Sequence, residues 1–189
     1  MANVILFHSV LGLRPVELDL ADEWQAAGHD VTRPDLFEGE TSETYDGGFE
    51  ILERVALDTV EARAARIAET LPDEVVIAGV SMGAGIASHV WKRKPNAKGI
   101  LFLAGMGPWP DKVNSAPVHV HAARPEPFDD EEWFTSWEKS NPGVPLSLFR
   151  YDKVGHYFLD KSLPDFDADA NKLCRERCLE FLRQLSDVR

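Results

Sequence analysis

The chain has 189 residues, 44% hydrophobic and 28% charged, which is ordinary for a soluble globular protein and enough for one domain with a full core. Its 20 Lys and Arg against 32 Asp and Glu leave a formal charge of −12, which disfavours nucleic acid and membrane surfaces as partners. No apolar run approaches a transmembrane length, and Val4-Ile5-Leu6-Phe7 is too short for a signal-peptide core and follows no basic residue, so the expected location is cytoplasmic.

Asn3 to His8 reads as a first strand, apolar enough for burial on both faces. A loop, Ser9 to Arg14, leads to Pro15, well placed in a first helical turn. Val16, Leu18, Leu20 and Trp24 carry that helix to Ala27, with Gly28 as its stop. A short strand, Gly28 to Arg33, ends at Pro34. Asp35 to Gly48 is polar and reads as a surface loop before a long helix from about Phe49 to Thr70.

Val75-Val76-Ile77 is β-branched, as a buried parallel strand should be, and stops at Gly79. Gly79-Val80-Ser81-Met82-Gly83 then fits the nucleophile-elbow pattern G-x-S-x-G, in which a serine sits on a strained turn from strand to helix. The flanking glycines suit it because the helix folds back sharply against the strand, leaving no room for a Cβ. Ile86, Val90 and Trp91 follow at helical spacing. The same glycines match neither a P-loop nor G-x-G-x-x-G and supply no lysine, which counts against a nucleotide site.

Gly99 to Ala104 is a further buried strand, followed by a loop through Gly105, Met106, Gly107 and Trp109. In the next strand, from Val118, His119 and His121 alternate onto one face without a third ligand at a metal-like spacing. Glu126, Asp129 and Asp130 lie beyond it, before a helix from Glu131 to Trp137. Leu146 to Tyr151 is the last strand, His156 lies in the loop after it, and a helix from Asp167 to Leu185 closes the chain. Cys174 and Cys178 read as two small residues on that helix, with no histidine nearby in the sequence to suggest zinc.

Strands alternating with helices predict an α/β fold: a mostly parallel sheet with helices on both faces, in three layers and one domain over 1–189. Ligands in such sheets bind beyond the carboxyl ends of the strands, where Ser9 to Gly12, Ser81, Glu126 to Asp130 and His156 all fall. A serine hydroxyl needs a base, and a base needs an anion to fix its tautomer. Of six histidines only His156 stands in a loop after the last strand. The order Ser81, acid, His156 is that of the α/β-hydrolases. Donors for the oxyanion are expected from the N–H of Met82 at the helix N-terminus and of Val10 in the first loop.

The chain resembles the dienelactone hydrolase family of the α/β-hydrolases. The resemblance is carried by Val4 to His8 with Gly12 to Pro15, Ala27 to Val31 with Pro34-Asp35-Leu36, Gly79 to Gly85, Val118 to Phe128 and Gly155 to Phe158. It implies a compact hydrolase without a large lid, using a Cys or Ser nucleophile, an acid and a histidine. Ser81 stands where founding members have cysteine, which implies an ordinary serine esterase. The family acid is typically an aspartate, and Glu126 stands there before Pro127-Phe128, with Asp129 as a rival. Ser9 replaces the glutamate that helps switch the family's cysteine, and Asp160 replaces an expected arginine for a substrate carboxylate, which argues against an anionic lactone.

The resulting expectation is a serine hydrolase of small carboxylic esters or lactones, with no cofactor and no metal. Its catalytic residues would be Ser81, Glu126 and His156, and its acyl pocket would be walled by aromatics such as Trp109, Phe128 and Tyr157. The alternative is a ligand-binding protein on the same fold with negligible turnover. The ester and the oligomeric state are not legible.

Overall fold

In the computed structural model, six strands form one sheet: β1 (Asn3–Phe7), β2 (Asp30–Thr32), β3 (Val75–Val80), β4 (Gly99–Leu103), β5 (Val118–Arg124) and β6 (Leu146–Asp152). Their order is β2-β1-β3-β4-β5-β6, and every neighbouring pair is parallel. The structure describes residues 1–187, so the last two residues of the expected 1–189 domain lie outside the described residues.

Strand side chains alternate between two cores, as the period of two demands. Val4 and Leu6 of β1, with Val76 and Ala78 of β3, face helices α1 (Pro15–Ala26) and α6 (Ala168–Asp187). Ile5, Phe7, Val75 and Ile77 face the opposite layer, built from α3 (Leu57–Glu69), α4 (Met82–Trp91) and α5 (Glu131–Lys139). Burial on both faces explains why β1, β3 and β4 read as continuous apolar runs rather than alternating ones. This is the three-layer α/β-hydrolase arrangement. No helix among the described residues is long and apolar enough to cross a membrane.

The chain runs from β1 outward to β2, then returns to β3 on the other side of β1. That reversal opens a crevice at the carboxyl ends of β1 and β3. Phe7 pairs with Gly79, so the Ser9 loop and Ser81 leave the sheet nearly level with each other.

The expected loop from Asp35 to Gly48 and single helix from Phe49 to Thr70 are corrected here. Helix α2 (Tyr45–Val55) begins within the supposed loop, where the Thr44 hydroxyl accepts the Gly47 N–H at 3.2 Å. Two glycines in its first turn conceal this start, because glycine weakens helices. Gly48 has a packing reason: a Cβ there would lie 2.7 Å from the Val10 carbonyl oxygen. The long helix breaks at Ala56, a left-handed alanine (φ 71°) that separates α2 from α3. Neither glycine nor proline marks that break.

Candidate active site

Strand β3 ends at Val80, and the backbone turns at once into α4. Ser81 takes φ 52° and ψ −115°, a left-handed conformation that costs a non-glycine residue of order 1–3 kcal/mol. Its N–H donates to the Leu103 carbonyl at 2.8 Å, and its own carbonyl accepts from Ala84 at 2.8 Å, which holds the turn. A Cβ on Gly79 would strike the Gly83 carbonyl, and one on Gly83 would strike the carbonyls of Phe7 and His8. A serine at an N-cap ordinarily folds back onto its own helix. The Ser81 side chain makes no such cap bond and points to the imidazole.

Ser81 Oγ lies 2.8 Å from Nε2 of His156, and Nδ1 of His156 lies 2.7 Å from Oε1 of Glu126. The Glu126 carboxylate is fully buried, and its second oxygen has no hydrogen-bond partner. Phe128 N–H adds a long contact, 3.4 Å, to Oε1. Asp129, the rival acid, makes no such contact with His156. It lies on the cleft wall, where burial and then the neighbouring Glu126 charge raise its pKa.

The histidine loop is pinned from behind. Asp165 Oδ2 accepts the Tyr157 N–H at 3.0 Å and the Tyr45 hydroxyl at 3.0 Å, tying α2 to the segment that carries His156. Phe128 packs its ring edge-on to the imidazole, with centroids 4.7 Å apart.

Ser81 and His156 open onto a cleft of about 280 Å³ lined by Val10, Tyr45, Phe49, Met82, Met106 and Phe128, among others. The wall is largely apolar, Asp129 being its one acid, and it has no Lys or Arg among the described residues. Val10 and Met82, the expected oxyanion donors, flank the serine here. The Val10 loop is fixed by Glu17, whose carboxylate accepts the N–H groups of Ser9 (3.2 Å) and Arg14 (3.1 Å). Burial raises the Glu17 pKa to about 7, against the opposing pull of those N–H donors.

The dienelactone hydrolase family model matches residues 1–186. The chain belongs to the dienelactone hydrolase family. Among solved structures, a dienelactone hydrolase-like promiscuous phosphotriesterase from metagenomic libraries superposes with a TM-score of 0.80 at 13% identity, covering 98% of this chain and 87% of the other. A Klebsiella pneumoniae protein assigned provisionally as a dienelactone hydrolase gives 0.77 at 15% identity, covering 97% and 87%. TT1662 of Thermus thermophilus gives 0.68 at 18%, covering 100% and 90%. At these identities the likeness to each structure carries the fold alone. No curated protein sequence matches the chain.

Several expectations about this dienelactone hydrolase family member need correction. Trp109 does not face the cleft: it stacks on Trp137 at 4.4 Å and donates its indole N–H to the Trp137 carbonyl. Tyr157 is fully buried behind His156, in an edge contact at 4.9 Å, and is absent from the cleft wall. Their aromatic bulk went into packing, and only Phe128 of the three named lines the cleft. Asp160 is also misjudged as a neighbour of substrate. It is buried and paired with Arg14 at 3.0 Å, away from the cleft. Tyr45, Phe49 and Met106 supply the missing walls. Tyr45 escaped notice because the first turn of α2 was read as loop, Phe49 because it was read as the start of a surface helix, and Met106 because its segment carries no regular structure.

Proposed function

We propose that the protein hydrolyses small, uncharged carboxylic esters or lactones through an acyl-enzyme on Ser81. The observation that carries this reading is the unbroken chain of contacts from Ser81 through His156 to Glu126 at the edge of an apolar cleft.

His156 Nε2 takes the Ser81 proton as Oγ bonds to the ester carbonyl carbon. Its Nδ1–H donates to Glu126, whose buried charge stabilises the imidazolium that forms. The carbonyl electrons move to oxygen, which the N–H groups of Met82 and Val10 would hold, the former also at the positive end of α4. On collapse His156 returns the proton to the leaving alcohol. Water, deprotonated by the same nitrogen, then releases the acid and restores Ser81.

The cleft supports an uncharged acyl group. A carboxylate-bearing substrate would meet Asp129 and no cation there, so dienelactone itself is disfavoured on the wall's chemistry rather than on Asp160. The alternative of a binder without turnover drew on Ser9 and on a glutamate in place of aspartate, and only the second motive bears on the contact with His156. That motive weakens, since the longer side chain still meets Nδ1 at 2.7 Å.

Nitrophenyl esters and lactones of graded size, compared with matched substrates bearing a free carboxylate, test the proposal. We expect kcat/KM to favour the uncharged member of each pair and Ser81→Ala to abolish turnover. Equal or better turnover of the carboxylates overturns the substrate class, and undiminished activity in Ser81→Ala overturns the mechanism.

A further inference from the structure

On the opposite side of the sheet from α4, His121 of β5 meets two cysteines of α6. Cys174 and Cys178 stand four apart, so both sulfurs project from one helix face. Their Sγ atoms are 4.0 Å apart, and Cys178 Sγ lies 4.0 Å from His121 Nε2. All three donor atoms fall within 4.8 Å of one another, and all three side chains are fully buried. This corrects the expectation that no histidine accompanies the pair. The partner comes from a residue 53 or more positions earlier in the chain, brought in by the packing of α6 on β5.

We propose that His121, Cys174 and Cys178 form a binding site for a soft divalent d10 cation such as zinc, distinct from the Ser81 cleft and independent of the esterase reading. Two thiolates about 2.3 Å from a shared ion, at tetrahedral to trigonal angles, stand roughly 3.8–4.0 Å apart. The observed sulfur separation matches that span before any ion is added. The imidazole is also oriented for the task. Its Nδ1 lies 2.9 Å from the Tyr151 hydroxyl oxygen, which also accepts from Arg177 at 3.3 Å. With Nδ1–H donating to that oxygen, the Nε2 lone pair faces the sulfurs, the arrangement that outer partners impose on metal-binding histidines. Phe149 stacks on the ring at 4.9 Å and fixes its plane.

Charge balance favours a divalent ion. Binding releases both thiol protons to solvent, and M²⁺ with two thiolates and a neutral imidazole leaves no net charge in a closed apolar core. Sulfur and imidazole donors select such ions over magnesium or calcium. Because the cluster is sealed, loading is coupled to the docking of α6 during folding.

The test is refolding of the full chain from denaturant with Cd²⁺ as probe, followed by removal of free ion, so that access to the closed core does not limit loading. We expect one retained Cd²⁺ per chain with the ultraviolet thiolate-to-cadmium charge-transfer band. Refolding with Zn²⁺ at a hundredfold excess over Kd should raise the thermal midpoint by roughly 5–10 °C. Cys174→Ser and Cys178→Ser should each weaken Cd²⁺ binding at least tenfold and leave no more than half of the band, since one thiolate remains. A far-ultraviolet circular dichroism spectrum and a cooperative thermal transition matching those of the metal-free wild type verify that these variants fold. Absence of the band in wild type overturns the proposal, whatever the variants do. Retention of Cd²⁺ without the band, or unchanged in both variants, assigns the ion to surface carboxylates and overturns it equally.

Discussion

Glu126 reaches His156 with one carboxylate oxygen, at 2.7 Å, and leaves the other buried and unpartnered. A buried anion with so few donors has the imidazolium as its natural counter-charge, which under the proposed mechanism ties its cost in the resting protein to its use during reaction. Glu126→Gln should therefore reduce kcat by ~10³–10⁴-fold, since the amide neither fixes the same tautomer nor balances the charge. Asp129→Asn should change kcat less than about tenfold, because Asp129 acts on His156 only through space. Steady-state rates of the two variants on one ester decide it; the reverse ranking moves the acid to Asp129.

Ser81 spends its backbone in a strained conformation and its hydroxyl on the histidine rather than on a helix cap. Ser81→Ala should abolish turnover and leave the thermal midpoint at or above that of the wild type. A fall in the midpoint of more than a few degrees would instead make the hydroxyl a structural group.

The glycines around the elbow differ sharply in what surrounds them. Gly79→Ala forces a methyl against the Gly83 carbonyl, a backbone atom that cannot swing away, and should cost at least about 3 kcal/mol in denaturant unfolding. Gly85, in α4 with open space beside it, should accept alanine with a gain of about 0.5–1 kcal/mol. Similar effects at both sites would contradict the elbow packing.

Glu17 makes stability fall as pH rises. Burial raises its pKa from the ordinary 4.5 to about 7, so the native protein keeps a proton that the unfolded chain has already lost. The resulting stability is present in full below pH 4.5 and declines as pH rises to about 7, by about 3 kcal/mol from this group. Glu17→Gln should flatten that decline, as read by urea unfolding across the interval. It should also slow ester turnover, since one amide cannot accept both the Ser9 and Arg14 N–H groups that shape the Val10 loop. A profile with the same slope in the variant removes Glu17 from this role.

The sheet and elbow were legible because they rest on local chemistry. β-branched runs, the glycine pair around Ser81 and a lone histidine after the last strand each require their residue types at fixed spacing. The walls of the cleft were not, because Tyr45 and Phe49 depend on a helix start hidden behind two glycines and a break at an alanine that no side chain announces. Trp109 shows the converse: an aromatic in a functional loop is as easily recruited to packing, here by Trp137. Glu17 left a faint trace, an acid three residues after the cap position Arg14, which reads as ordinary helix capping until the fold places Ser9 against it. His121 and the cysteines are each visible in the sequence, but nothing there joins them, since only the docking of α6 on β5 brings them together.

Ser81 is proposed to be a nucleophile activated by His156. A fluorophosphonate probe tests it most directly, with intact-mass and peptide analysis after brief exposure. One adduct per chain is expected, on Ser81, largely lost in His156→Ala. Ester turnover without an adduct on Ser81, or equal labelling in His156→Ala, would contradict it.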